Sequence, residues 1–257
     1  KLLDADLVLI SPRSKSSISM SGFPKRRLIQ TLAVEEVEDT APVNLNYLLW
    51  RNPENLKTRS ILALGFNPSD SLLLDDGFSN KAYKLRNPSR VLFDKLSRPE
   101  FGPIEEWFLS DQKVETEVAG KRVIVEGLVE LGPSFGADGN LITSRETFLR
   151  LFPSNPPGSI EIGLVKLKKG SDPELISKIL NNSLPNDVRV LTKNQFIEFE
   201  KNYWKNSTAI GFIFSLGALM GFVVGCVVVY QILYSDVTDH LPEYATLLAM
   251  GYRLKSL

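Results

Sequence analysis

The chain has 257 residues, enough for one large domain or two small ones with a real core. Its 30 basic and 30 acidic residues cancel, which excludes an electrostatic case for a nucleic-acid surface. The single cysteine, Cys226, excludes an intrachain disulfide.

The mean hydropathy near zero mixes two regimes. Residues 1–205 have the composition of an ordinary soluble domain, and the apolar weight follows them. The chain starts at Lys1 without an initiator methionine or a signal-peptide pattern, and ends at Leu257 as a new segment begins. It reads as an excised piece of a longer protein.

In chain order, Asp6–Ile10 (DLVLI) is a short apolar strand, followed by the Ser-rich loop SPRSKSSISMSG. Pro24, at a favoured first position, opens a helix through about Leu32. Tyr47–Trp50 and Ile61–Phe66 read as strands separated by the polar turn RNPENLKTR. Further along, Ile160–Leu167 (IEIGLVKL) is a strand, Asp172 and Pro173 start the helix PELISKILNN, and Val188–Leu191 is another strand. Strand–helix–strand at both ends predicts two βαβ-type halves forming one α+β layer.

The middle, residues 72–156, has a different texture. Val114–Val118 and Arg122–Val129 flank Ala119-Gly120 as a β-hairpin. Thr143-Ser-Arg-Glu146 matches a capping box, which predicts a helix from about Ser144 to Leu151, ending before Pro153. The expected organisation is therefore a first half (1–71), a mostly β insertion (72–156) and a second half (157–193). Thr192 then caps a helix over Asn194–Trp204 that contains no breaker and runs into the apolar segment. One continuous helix of about 40 residues would be about 60 Å long.

Between Lys205 and Asp236 there are 30 consecutive uncharged positions, and about 20 apolar residues suffice to cross a hydrocarbon core. Tyr203, Trp204, Tyr230 and Tyr234 fit interfacial aromatic belts. Residues 207–235 are thus expected to be a transmembrane helix, preceded by a stalk (194–206) and followed by a segment at 236–257. Gly217, Gly221 and Gly225 share a face where another helix could approach, or simply reflect the frequency of glycine in membrane helices. Lysines at 201 and 205 and the Arg253–Lys255 pair flank the two ends, so charge does not decide orientation.

Beyond it lies HLPEYATLLAMGY (His240–Tyr252). Pro242 suits a first helical turn, Glu243 complements its dipole, and Gly251 suits the stop. Leu241, Ala245 and Leu248 fall on one stripe with Leu247 and Met250 beside it. Taken alone, this is an interfacial anchor or a capping turn.

Chemistry-bearing patterns are sparse. His240 beside Asp239 lies past the apolar segment and reads as an interfacial polar residue. The stretch Ser134–Ser144 (SFGADGNLITS) lacks the lysine and spacing of a phosphate loop and reads as a β-loop. Asp70, Asp75 and Asp76 do not have calcium-loop spacing. Asn181 and Asn206 each begin an N-x-[ST] triplet, a common chance match. No Cys/His set suits zinc. No catalytic site and no cofactor is expected.

The run IGFIFSLGALMGFVVGCVVVYQILYSDVTDHLPEYATLLAMGY (Ile210–Tyr252) resembles permeases of the DevC type, and more broadly the MacB-like (type VII), FtsX-like ABC transporter permeases. VLFDKLSRPEFGP (Val91–Pro103) and VEGLVELGPSFGADGNLITS (Val125–Ser144) resemble the same group. The resemblance implies an α+β periplasmic "porter" part split by a mostly β "sabre" insertion, then one transmembrane helix and a short cytoplasmic coupling helix. The coupling helix would dock on a separate ABC ATPase through Leu241, Pro242, Glu243, Tyr244, Ala245, Leu247, Leu248, Met250, Gly251 and Tyr252, with ATP used by that partner. It further implies a homodimer, a membrane-fusion adaptor, a TolC-type outer-membrane channel, a glycolipid or other amphiphilic cargo, and a cyanobacterial inner-membrane location with residues 1 to about 205 in the periplasm. Competing readings are an FtsX-like regulator of a periplasmic partner, a single-span sensor and a membrane-tethered enzyme.

Overall fold

The computed structural model describes residues 5–70, 81–134, 136–206 and 209–251. They form two units, one ending at Glu200 and one beginning at Lys201.

The first unit is a mixed α+β domain built on two sheets that share one strand. In the first sheet the order is β11 (Arg189–Thr192), β1 (Leu7–Ile10), β10 (Ile162–Leu167) and β3 (Val37–Arg51), with every neighbouring pair antiparallel. Strands β1 and β3 therefore run parallel on either side of β10 and are joined by α1 (Arg26–Thr31). Strands β10 and β11 likewise flank β1 and are joined by α4 (Pro173–Ser183). This is a double split βαβ layer, so the two βαβ-type halves expected from sequence interleave in one sheet.

The apolar runs of β1 and β10 do not alternate because both sheet faces are covered. Leu7 and Leu9 pack with Leu28 of α1 and Ile176 and Leu180 of α4. Val8 and Ile10 pack on the opposite face with Ala41, Val43, Ile162 and Leu164, against Met20, Phe196 and Phe199. Arg27 holds Asp187 through two parallel bonds of 2.9 Å, tying α1 to the turn before β11.

The second sheet closes on itself. From Asn44 onward β3 pairs with β4 (Thr58–Phe66), then follow β8 (Asn140–Ser144), β5 (Arg90–Asp94), β7 (Lys121–Val129) and β6 (Glu115–Val118), and β6 returns to β3 at Trp50↔Val118. Its interior holds Trp50, Phe93, Phe101, Leu141 and Phe148, with Trp50 and Phe93 ring centres 5.1 Å apart and Trp50 Nε1 donating to the Phe101 carbonyl at 3.0 Å. By pairing, this sheet takes Asn44–Phe66, residues the sequence reading groups with the first half. It also carries α2 (Ile104–Leu109) and α3 (Arg145–Leu151).

Several local expectations hold. Ala119 and Gly120, at φ +50° and +72°, turn the β6–β7 hairpin. Asp172 caps α4 by accepting from Glu174 N at 2.9 Å, with Pro173 at the first position. Thr192 caps α5 (Lys193–Asn206) in a reciprocal box: Gln195 N donates to Thr192 Oγ1 at 3.3 Å, and Thr192 N to Gln195 Oε1 at 3.1 Å.

Others are corrected. Pro24 lies in a short strand, β2 (Phe23–Pro24), paired with β9 (Ser159–Ile160), and α1 starts two residues later because Lys25 N is held by the Gly158 carbonyl at 2.8 Å. The cap of α3 is Ser144, the last residue of β8, accepting from Thr147 N at 3.2 Å, so the cap falls one residue after Thr143. The loop expected over Ser134–Ser144 ends in strand β8, which lies between β4 and β5 in the closed sheet.

Asp94, at the end of β5 and without solvent exposure, accepts from Leu96 N (3.1 Å), Leu131 N (3.0 Å), Gly132 N (2.9 Å) and Asn140 Nδ2 (2.8 Å). Removing it takes the shared acceptor from three part-buried backbone donors and the buried Asn140 amide, so Asp94→Ala should destabilise the first unit by about 2–4 kcal/mol in urea denaturation.

Candidate functional site

The second unit is dominated by one helix, α6 (Ala209–Ala249). Its stretch Gly211–Ala249 is long and apolar enough to cross a membrane, and none of its most apolar window is buried within the chain. At 1.5 Å per residue, the charge-free part up to Tyr234 alone spans about 35 Å, more than the roughly 30 Å of a hydrocarbon core. Tyr230 and Tyr234 stack with ring centres 6.0 Å apart at its polar end.

Gly217, Gly221 and Gly225 lie on one open face, where an added Cβ would meet nothing within 4 Å. Around Gly225, Phe222, Cys226, Val229, Tyr230 and Leu233 line a shallow apolar depression of about 480 Å³.

The docking residues expected from sequence fall at the far end of this same helix. Pro242 does not open a separate helix; it lies inside α6. Proline removes one backbone donor, the bond that residue 242 would make to the Thr238 carbonyl. Flanking threonines bond back to the helix: Thr238 Oγ1 donates to the Tyr234 carbonyl (2.6 Å) and Thr246 Oγ1 to the Pro242 carbonyl (2.9 Å).

Leu241, Pro242, Glu243, Ala245, Leu248 and Met250 are exposed, while Tyr244 and Leu247 are half-buried. Gly251 ends the helix at φ +94°, with its N–H on the Leu248 carbonyl at 3.0 Å, and Tyr252 lies outside the described residues. His240 is an exposed helix-surface residue 3.3 Å from Glu243 and 3.8 Å from Asp236. Whether α5 runs unbroken into α6 falls on residues 207–208, outside the described residues.

Sequence reasoning did not single out the buried carboxylate Glu161. It lies between β9 and β10, where β3 passes from the first sheet to the second. Glu161 Oε2 accepts from Asn44 Nδ2 (2.8 Å) and Leu45 N (3.1 Å), and Oε1 from Asn155 Nδ2 (3.3 Å). Arg145 Nε donates to Asn44 Oδ1 at 3.1 Å. Burial pushes the Glu161 carboxyl above the usual glutamate range, partly opposed by the Asn44 and Leu45 donors. The signal was present in IEIGLVKL, where Glu161 is a lone carboxylate in an apolar run.

Among the described residues no group of three or more His, Cys, Asp and Glu could hold a metal ion. Asp70 is described, whereas Asp75 and Asp76 are not.

No protein-family model and no curated protein sequence matches the chain. Solved structures with similar folds include the extracellular domain of the noncanonic ABC-type transporter YknZ from Gram-positive bacteria (13% identity, 73% of this chain and 98% of that one, TM-score 0.47). The periplasmic region of MacB from Actinobacillus actinomycetemcomitans is another (9% identity, 78% and 94%, TM-score 0.49). A domain of a putative permease protein from Porphyromonas gingivalis is a third (15% identity, 74% and 88%, TM-score 0.40). The fold class defined by the chain's own strand order is a mixed α+β domain followed by one helix of membrane-spanning length.

The sign of the Glu161 effect on stability follows from linkage. A carboxyl raised above its unfolded value keeps its proton longer in the folded chain, so its contribution is full below about pH 4.5 and is lost as pH rises through the folded value. Glu161→Gln should flatten that part of the profile, and the wild-type-minus-variant difference in urea midpoints from pH 4 to 8 measures it.

Proposed function

We propose that this chain is a permease subunit of an ABC-type export system, with its α+β domain outside the inner membrane and α6 crossing it. The reading is carried by α6, an exposed apolar helix joined in sequence to a two-sheet domain and extending well past its charge-free part. A row of large apolar side chains costs about 1.5–3 kcal/mol each in water, so a soluble setting does not suit it. The resemblance of Val91–Pro103, Val125–Ser144 and Ile210–Tyr252 to DevC-type permeases supports the same reading.

On this proposal the end of α6, from Leu241 to Tyr252, docks on a separate ATPase that binds and hydrolyses ATP. Helices of a second copy or of the same subunit pack on the Gly217–Gly221–Gly225 face. Motion driven by the ATPase passes through α6 and α5 to the outer domain, which moves a glycolipid or another amphiphile to an adaptor and a TolC-type channel. The chain itself performs no catalysis.

Leu248→Asp in the full-length protein should abolish co-purification of the ATPase while leaving the melting temperature of the outer domain within about 2 °C. Intact pairing sinks the docking assignment. Inserting Gly-Pro beside Glu198 should stop export without loss of ATPase pairing, read from the amphiphile content of the outer membrane in a complemented deletion strain. Unchanged export counts against transmission through α5.

A further inference from the structure

The Ser-rich loop between β1 and β2 is built as a stiff strap. Ser14 and Ser16 are buried, Ser21 N donates to Ser14 Oγ at 3.0 Å, and Ser16 and Ser19 form a bridge, with Lys15 N on the Ser19 carbonyl at 3.1 Å and Ser19 N on the Ser16 carbonyl at 3.0 Å. Its tip is held from α5. Glu200 Oε1 accepts from Ser17 N at 2.6 Å, and Glu200 Oε2 from Ser17 Oγ at 2.8 Å. Charge-assisted bonds to both the backbone and the hydroxyl of one residue are strong and fix direction as well as distance.

The next residue points the other way along the chain of contacts. Ile18 packs so closely on Gly136, in the loop between β7 and β8, that a Cβ at 136 would collide with Ile18 Cγ2 and lie 3.2 Å from the Tyr47 hydroxyl. Tyr47, on the second-sheet part of β3, donates to the Gly136 carbonyl at 2.7 Å. Its phenol is pushed up to about 12, by burial and then by the Glu200 charge. On its inner side α5 is seated on the first sheet by Phe196 and Phe199, with the Arg189 guanidinium 4.9 Å from the Phe199 ring centre.

We propose that residues 15–19 are the element that couples α5 to the closed sheet, with Glu200 holding the strap through Ser17 and Ile18 carrying displacement to Gly136 and Tyr47. The cause of the displacement rests on the permease reading; the contacts and their coupling do not. A loop braced by its own serines moves as a body, so a shift of the last turns of α5 within the first unit is passed on rather than absorbed. Glu200 acts here as a positioning residue.

The test is hydrogen–deuterium exchange on the full chain in detergent micelles, read at the peptide covering 133–139, where Gly136 N and Ala137 N both donate to Ser134 Oγ. Glu200→Ala should speed exchange there by about tenfold. The same change in an Ile18→Ala background should add nothing, because the path is already cut. Ser17→Ala, which keeps the backbone bond, should give an intermediate acceleration and guards against a Glu200 variant that fails to fold.

No acceleration in either single variant overturns the proposal, as does an equal Glu200→Ala effect with and without Ile18. Export lost in Glu200→Ala with exchange at 133–139 unchanged also overturns the strap, while leaving the permease reading intact. Coupled exchange in a chain that pairs with no ATPase upholds the strap and removes the permease reading.

Discussion

The domain depends on one strand serving two sheets. Along one edge, β3 pairs with β10 from Val37 to Val43, and β10 then stops. The backbone on that edge would be left unpaired until β6 meets it at Trp50. Glu161 fills the first gap: its own N–H donates to the Val43 carbonyl at 3.3 Å, and its carboxylate takes the Leu45 N–H two residues on, where a continuing strand would have supplied a carbonyl. Ala119, in the hairpin turn, closes the other side by donating to the Leu49 carbonyl at 3.0 Å. The side-chain knot of Asn44, Asn155 and Arg145 around Glu161 therefore stands in for a missing stretch of ladder.

That substitution has a consequence for rigidity. A buried charge is tolerated when its lone pairs are met, and the three donors on Glu161 meet most of them. Burial still raises its pKa, so the ionised carboxylate carries a desolvation cost that the Asn44 and Leu45 donors only partly offset. Asp94 solves a similar problem more completely, with four donors gathering the ends of β5 and β8 and the chain after β7. One carboxylate ties a corner of the closed sheet, and the other sits where the two sheets join.

What the sequence showed follows from the range of the interaction involved. Turns and caps are local, so Ala119-Gly120, Asp172-Pro173, Thr192 and Gly251 were legible residue by residue, while the Gln195 half of the Thr192 box was not singled out. The split βαβ layer was legible as strand–helix–strand at both ends, because helix and strand periods differ. Ring closure was not, since β5 and β8 are five-residue strands whose partners lie far away in the chain. The shared strand was hidden too: Val37–Arg51 carries Asp39, Pro42, Asn44 and Asn46, residue types that favour turns, and all are accommodated within it. Local rules misplaced Pro24 because a neighbouring strand had already claimed the backbone, and set the α3 cap one residue early. Of the candidate site, the apolar span and its glycines were plain from composition, whereas the Glu161–Asn44, Arg145–Asn44 and Glu200–Ser17 contacts join residues more than a hundred positions apart.

The course of α6 past Pro242 bears on how its far end works. A proline inside a helix gives up one backbone bond and leaves the carbonyl four residues earlier without its usual partner. Here that carbonyl belongs to Thr238, in a turn already rich in polar groups: Asp236, Asp239, His240 and Glu243 surround it on the helix surface. Outside a membrane, water can satisfy the freed carbonyl, whereas within the hydrocarbon it would cost several kcal/mol. On the permease proposal, Pro242 and the charges before it put the membrane boundary on the Tyr230–Tyr234 side of Asp236. On that proposal the turns from Asp236 to Ala249 continue the same helix beyond the membrane. A docking surface at this end of α6, as proposed, would follow the helix without an intervening loop, and Leu241 and Leu248, both apolar and exposed, are the groups its partner would cover.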